Sequence, residues 1–396
     1  MGNSGNPALA TLGSRHPMIR PTMKDLIETR RVIVTVGSGG VGKTTTAAAI
    51  ALAGARAGRR VLCLTIDPAK RLATSLGLRE MRSEAQAIDR ALLGNGVTGS
   101  LTAMMLDVRG TFDDLVARSA PNPEVRQRIY NNRIYQHVAG SLAGTPEYMA
   151  MEKLHALKSD PATDLIVLDT PPTANALDFL DAPDRMIAAV DSPAVRAFVK
   201  AFEGAGRLSL NLLSKAMAKI FSGLSKFTGG GFLEQVAEFL TDIQSLFGGF
   251  RDRAHRVREE LKGKDVAFVV VTSPDPMAIG EAIYFAERLV EGGMQLEALV
   301  VNRVRTVEAC EVTAPARVAN VLREAGVEPS NELAFAVLQA QSEASVWARR
   351  DRAEVTRVQN ALPSVPRVIE VPALDEDVYD LTALGHVADA LSPVES

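Results

Sequence analysis

The sequence predicts an α/β fold built on a mostly parallel sheet, and three observations lead there. Short apolar runs rich in Val, Ile and Leu recur along the chain, helical patterns separate them, and a glycine-rich loop joins the first run to a helix. Uninterrupted apolar runs suit strands buried on both faces, whereas half-exposed strands alternate. Strands that alternate with helices imply crossover connections and parallel pairing.

Taken in order, the chain begins with a stretch rich in Gly, Asn, Ser and Pro that lacks the apolar core of a signal peptide. It starts Met-Gly, but Asn6 breaks the myristoylation pattern. Residues 1–28 are therefore expected to be a disordered tail. The expected strands are Arg31–Val36, Val61–Ile66, Asp164–Leu168, Val266–Thr272, Leu299–Asn302 and Arg367–Val371, with Leu101–Asp107 as a further one. Two long intervals, Thr111–Ser159 and Asp184–Leu261, look helical and do not fit short crossovers. The expected division is a sheet domain of 29–110, 160–183 and 262–396, with an inserted α-helical subdomain of 111–159 and 184–261.

Within the second interval, Phe232, Val236, Phe239, Leu240, Ile243, Phe247 and Phe250 recur at helical spacing, with Glu234, Glu238 and Asp242 between them. A second apolar series runs from Leu208 to Phe227, and Gly229–Gly231 separates the two. Such stripes either pack on each other as core or form a groove for an apolar helix or a membrane surface. Periodicity alone leaves both open.

Composition narrows the function. The chain has 396 residues, 46% hydrophobic and 23% charged, as in folded globular proteins. A net charge of -3 supplies no global basic field, so no nucleic-acid partner is expected. The 2 cysteines, Cys63 and Cys310, form no C-x-x-C pair. That disfavours a disulfide scaffold or a cysteine-built metal centre within one chain and points to a reducing, cytoplasmic compartment. No apolar run approaches the roughly 18–20 residues of a membrane helix, so any membrane association would be peripheral.

Gly37-Ser38-Gly39-Gly40-Val41-Gly42-Lys43-Thr44 matches G-x-x-x-x-G-K-[ST] between a strand and a helix, the context of a P-loop. Glycines let the backbone curl so that its N–H groups face an anion, and the helix N-terminus adds positive potential. Gly39, Gly40, Val41, Gly42, Lys43, Thr44 and Thr45 are thus the candidate phosphate-binding residues. Lys43 is expected to bridge the β- and γ-phosphates of ATP, and Thr44 to hold Mg²⁺. The run Asp164–Asp169 ends in an acid at the carboxyl end of a neighbouring strand, so Asp169 is the second candidate for the Mg²⁺ shell.

These residues carry a resemblance. Gly37–Thr45 resembles the deviant Walker loop G-K-G-G-V-G-K-T-T of the ArsA family. Ile66–Ala69 resembles that family's first switch, and Asp169–Leu177 its second, typically D-T-A-P-T-G-H-T-L. Val300–Asn302 resembles the strand end that contacts adenine, and Val371–Leu374 the loop that covers the base. The family includes arsenite-pump ATPases and targeting factors for tail-anchored membrane proteins. The resemblance implies a Mg-ATP-dependent dimeric switch whose helical subdomain binds a client, with Asp67 orienting the attacking water and Asn302 and Pro372 contacting the base.

The departures matter as much. The signature lysine at the second loop position, which reaches the partner's phosphates, is Ser38 here, and serine carries no charge. The expected outcomes are a heterodimer with a lysine-bearing paralogue, substitution by another cation such as Lys70 or Arg71 in a homodimer, or slow turnover. The arsenite-binding cysteines have no counterpart, which disfavours arsenite extrusion; the client would instead be a hydrophobic helix or membrane protein. The alternative is a Min/Par-type positioning ATPase on membrane or nucleoid. Against it stand the large helical intervals and the lack of a terminal amphipathic anchor. The sequence Asn302-Arg303-Val304-Arg305 is not the guanine-reading N-K-x-D, which disfavours GTP.

Overall fold

The computed structural model describes residues 22–67, 71–138, 145–171, 232–307, 314–362 and 367–392, with a few single positions between 181 and 193. Its centre is an 8-stranded sheet in the order β3-β4-β2-β5-β1-β6-β7-β8. The strands are β1 (Val32–Val36), β2 (Arg60–Thr65), β3 (Gln86–Ala87), β4 (Ser100–Met105), β5 (Leu165–Asp169), β6 (Val266–Thr272), β7 (Leu296–Val304) and β8 (Val368–Pro372). All adjacent pairs are parallel except β3–β4. This is the α/β architecture that the apolar runs imply. The two-residue β3 had no apolar run to announce it, and β7 extends beyond Leu299–Asn302 at both ends.

The continuous runs have a simple cause. In β1, Val32, Val34 and Val36 point into one core and Ile33 into the other. The same split divides Leu62 and Leu64 from Cys63, and Ile166 and Leu168 from Val167. Because side chains alternate across a strand and both faces are covered, every position must be apolar. Burial raises the Cys63 thiol far above its ordinary range, which keeps it an inert core group.

On the Ile33 face lies helix α2 (Lys43–Arg56), whose sequence is dominated by alanine. Small side chains let its backbone approach the sheet. At Gly54 even a Cβ would stand 2.9 Å from Leu165 and 3.0 Å from Val61. The same face also carries helix α1 (Met23–Thr29). Thr22 and Asp25 form a reciprocal capping box at its start, and Met23, Leu26 and Ile27 are buried. Residues 22–28, assigned by sequence to the tail, are therefore folded. The short polar cap hid three core residues at helical spacing.

The opposite face carries the described parts of both helical intervals. These are α4 (Val108–Ser119), α5 (Pro123–Asn131), α6 (Arg133–Val138), α7 (Thr145–Lys158) and α8 (Phe232–Leu261), α3 being the short helix Arg71–Ser75. Phe112, Leu115, Ile129, Tyr135, Tyr148 and Phe239 join one continuous core with the sheet residues Val34, Leu168 and Val270. Among the ion pairs that tie α8 to earlier parts of the chain, one joins it to α5 and another to α7. Arg128 meets Asp242 at 2.6 Å, and Arg253 meets the fully buried Glu152 at 2.6 Å. Tyr148 donates a further hydrogen bond to Glu152, so that buried carboxylate is satisfied.

These contacts bear on the apolar stripe of α8. Phe239 is 7% exposed and sits 6.4 Å from the Tyr135 ring, and the interleaved Asp242 is buried rather than solvated. At that position the stripe is core. The series Leu208–Phe227 and Gly229–Gly231 lie outside the described residues. Phe239→Ala should therefore cost about 3 kcal/mol, a melting temperature lower by roughly 3–5 °C. An unchanged melting temperature together with lost capture of apolar helices would instead make Phe239 part of a groove. Among the described residues, no helix is long and apolar enough to cross a membrane.

Beyond β6 the chain adds α9 (Pro276–Glu291), α10 (Pro315–Glu324), the 31-residue α11 (Asn331–Ala361) and α12 (Leu381–Leu391). The last packs beside α2 and β8, while Val355 and Val358 of α11 enter the core on the other side. All the strands thus fall within 29–110, 160–183 and 262–396.

Candidate nucleotide site

The site forms where the carboxyl ends of β1, β2 and β5 meet the start of α2. Parallel register aligns Thr35, Asp169 and Thr65 across these strands. The loop leaving β1 needs glycine at specific points. Gly37 has φ 151°, and a Cβ there would lie 2.1 Å from the carbonyl oxygen of Val271. Gly42, the N-cap of α2, has φ 96°, and a Cβ there would lie 2.1 Å from Asn302 Nδ2. That empty space lets Asn302 donate a 2.9 Å hydrogen bond to the Val41 carbonyl. Val41 itself is buried in the core, so the loop is held from within and from the side.

In front of the loop lies a cavity of about 370 Å³ lined by Gly40, Gly42, Lys43, Thr44, Thr45, Asp67, Arg71 and Arg303. All of these but Arg303 are candidates from the sequence, Arg71 as a possible substitute for the missing lysine. Lys43 is buried, and its Nζ donates a 2.7 Å bond to the Ser38 carbonyl. Burial lowers its pKa, while Asp169 and Asp67 favour the charged form and Arg71 opposes it.

Asp169 lies beneath the cavity, fully buried. Its Oδ2 accepts a 3.0 Å bond from Thr65 Oγ1, and the Thr44 side chain stands near enough to its carboxylate to favour the charged form. Its Oδ1 is buried with no hydrogen-bond partner. Burial, the largest influence, pushes the carboxyl up to about 6; Thr65, Thr44 and Lys43 pull the other way. An orphaned carboxylate oxygen beside a threonine hydroxyl suits a hard cation that takes oxygen ligands, as Mg²⁺ does.

Thr65 also organises Asp67, because its Oγ1 accepts the Asp67 N–H at 3.1 Å. One hydroxyl thus links the first-switch acid to the metal-candidate acid. Nothing in the sequence marked Thr65, a β-branched residue at a strand end. On the far side of Asp169, Thr170 Oγ1 donates to the Thr35 carbonyl at 2.8 Å. The rest of the second switch, Pro172–Leu177, lies outside the described residues, as do Pro68–Lys70 and Cys310.

The two residues expected at the base do not line the phosphate cavity. The Asn302 amide nitrogen faces the loop, and Pro372 closes β8 as an exposed residue. Next to the phosphate cavity is a second one of about 480 Å³, lined in part by Arg303, Arg305, Trp347, Arg350 and Ala373. The guanidiniums of Arg305 and Arg350 lie 4.8 and 4.9 Å from the Trp347 ring centre. Arg303 borders both cavities, and its identity as a site residue was not legible from residue type.

Comparison with known proteins agrees with this geometry. Residues 30–324 match the model of a family described as anion-transporting ATPase. The chain is 27% identical over 291 residues to an ATPase GET3 of Aspergillus terreus, covering 72% of this chain and 77% of that protein. It is 27% identical over 290 residues to the ATPase GET3 of Paracoccidioides lutzii, with the same coverage. An ATPase GET3 of Aspergillus niger is 26% identical over 291 residues, again covering 72% and 77%. The chain belongs to the anion-transporting ATPase family, the ArsA family of the resemblance, and is an ATPase.

Proposed function

We propose that this chain is a dimeric switch in which Mg-ATP hydrolysis at the loop Gly37–Thr44 changes how two subunits close and what the helical region binds. The observation that carries this reading is the orphaned Asp169 Oδ1, held beside Thr44 and Lys43 under a cavity whose cations, Lys43, Arg71 and Arg303, complement a polyphosphate. In this reading the amides of Gly39–Thr45 and the Lys43 ammonium grip the phosphates. Thr44 and Asp169 hold Mg²⁺, which when bound neutralises charge on the phosphate oxygens. Asp67, held through its N–H by Thr65, orients water toward the γ-phosphate. Phosphoryl transfer needs such positioning more than a strong base. Asn302 and Pro372 contact the base once the nucleotide is seated, and Asn302 reports that contact to the loop through Val41.

The coupling follows from position. Asp67 and Thr170 stand at two exits from the site, just past the carboxyl ends of β2 and β5, and β5 shares a core with Phe239 through Ile166 and Leu168. A change at the phosphates is passed on as a change at these two exits. The partner is a second copy or a lysine-bearing paralogue, the client a hydrophobic helix or membrane protein, and the setting the cytoplasm or the membrane's periphery. An Asp67→Asn variant should bind Mg-ATP, hydrolyse it about 10²-fold more slowly and double its mass by light scattering with ATP but not ADP. A mass that is the same in every nucleotide state would sink the homodimeric switch, and a doubling only on adding a second protein would identify the paralogue.

A further inference from the structure

The geometry points to Arg303 as a phosphate-contacting catalytic residue supplied in cis, carrying the positive charge that Ser38 does not. This rests on the reading of the cavity as an ATP site and adds a residue to it. Arg303 is the one described non-glycine residue with positive φ, at 63°. For an L-residue that conformation costs roughly 1–2 kcal/mol and persists only where the surroundings enforce it. Here they enforce it on each side. Asn302 is fixed by its bond to the Val41 carbonyl. Val304 is fixed because its carbonyl accepts the Ala373 N–H at 2.9 Å. Arg305 is fixed by Asp351, 1% exposed, which accepts the Arg305 N–H and both guanidinium bonds at 2.9 Å. The β7–β8 register shifts at this point, between Asn302 and Val304.

The strain therefore has a product, which is the direction of the Arg303 side chain. Its Nη1 lies 3.4 Å from the Gly40 carbonyl at the rim of the phosphate cavity. Lys43 rests in the same way on the Ser38 carbonyl. Both cations thus stand on loop carbonyls, poor acceptors beside a phosphate, and both are free to exchange them for one. Hydrolysis joins a water oxygen to the γ-phosphorus and breaks the bond to the β–γ bridging oxygen. The bonding electrons go to ADP, and a water proton goes to the released phosphate. A guanidinium over Gly40 meets the charge that gathers on those oxygens.

The test compares Arg303→Asn, Arg303→Gly and Arg303→Lys in the full chain with ATP and Mg²⁺. Asn and Gly accept positive φ, so the fold is kept or gains about 2 °C in melting temperature, most clearly for Gly. We expect kcat to fall by roughly 10²–10³-fold in both, with partial recovery in Arg303→Lys. Binding of ADP with aluminium fluoride should weaken more than binding of ADP alone. If Arg303→Asn and Arg303→Gly turn over at the wild-type rate while Lys43→Ala is inactive, this inference falls and the ATP site stands. If Lys43→Ala also turns over, the site assignment itself falls. A loss of rate matched by a lowered melting temperature in both variants, with no change in selectivity for ADP–aluminium fluoride, would make Arg303 structural and overturn the proposal.

Discussion

Replacing Lys43 by alanine should cut ATP hydrolysis by roughly 10³-fold or more and leave the melting temperature essentially unchanged. Both halves follow from where the ammonium sits. It is 5% exposed, and its Nζ donates a hydrogen bond to a neutral carbonyl, that of Ser38. Burial is the largest influence on its pKa and lowers it. A lysine with a depressed folded pKa binds its proton less tightly folded than unfolded. At neutral pH that charge costs folding free energy, and the cost fades only as pH rises through the folded pKa. Removing it therefore takes away a penalty along with one hydrogen bond, and the net change should stay within about 1 kcal/mol. The function has no such compensation. Lys43 lines the cavity beside Thr44 and Asp67, where the phosphates would offer it anionic oxygens in place of the Ser38 carbonyl. Phosphate release and ADP binding by calorimetry, measured beside thermal unfolding, check the two halves separately. Wild-type turnover would remove the cavity as the site of hydrolysis.

The phosphate loop was legible because its chemistry demands glycine at fixed spacings, and glycine can be read from a sequence. The strands were legible because both sheet faces are covered, which forces unbroken Val, Ile and Leu runs. Features that depend on tertiary register were not. The 2-residue β3 pairs with β4 through Gln86 and Ala87, and two residues carry no pattern. Arg303 owes its backbone conformation to a register shift between β7 and β8 and to the buried Asp351 some distance along the chain. The Asn302 amide turns to Val41 because Gly42 leaves room for it. The resemblance could associate Asn302 with the base, but no motif states what an amide holds before a base arrives. The Thr65 hydroxyl is a fourth instance, since its role comes from strand alignment that sets it opposite Asp169.

Gly37→Ala should be a severely damaging single-methyl change, lowering stability by about 3 kcal/mol and abolishing tight nucleotide binding. The position combines two penalties. The backbone holds φ 151°, which an L side chain rarely adopts, and the added Cβ would lie 2.1 Å from the Val271 carbonyl oxygen. That oxygen lies near the carboxyl end of β6, whose partner β1 pairs Val36 with Val270 immediately before the loop. It is backbone in a paired strand, so it cannot rotate away as a side chain would. Relief must come from the loop, which has to swing off β6. Such a swing breaks the bond between Asn302 and Val41 and displaces Gly40 from Arg303. A melting temperature lower by roughly 3–5 °C and weak ADP binding are expected together. Gly40→Ala is the comparison: a Cβ there meets nothing within 4 Å, although φ is 81°. It should cost only the backbone strain, about 1–2 kcal/mol. If the two variants prove equally stable and bind ADP equally well, the close packing of the loop on β6 is not what holds the phosphate cradle open.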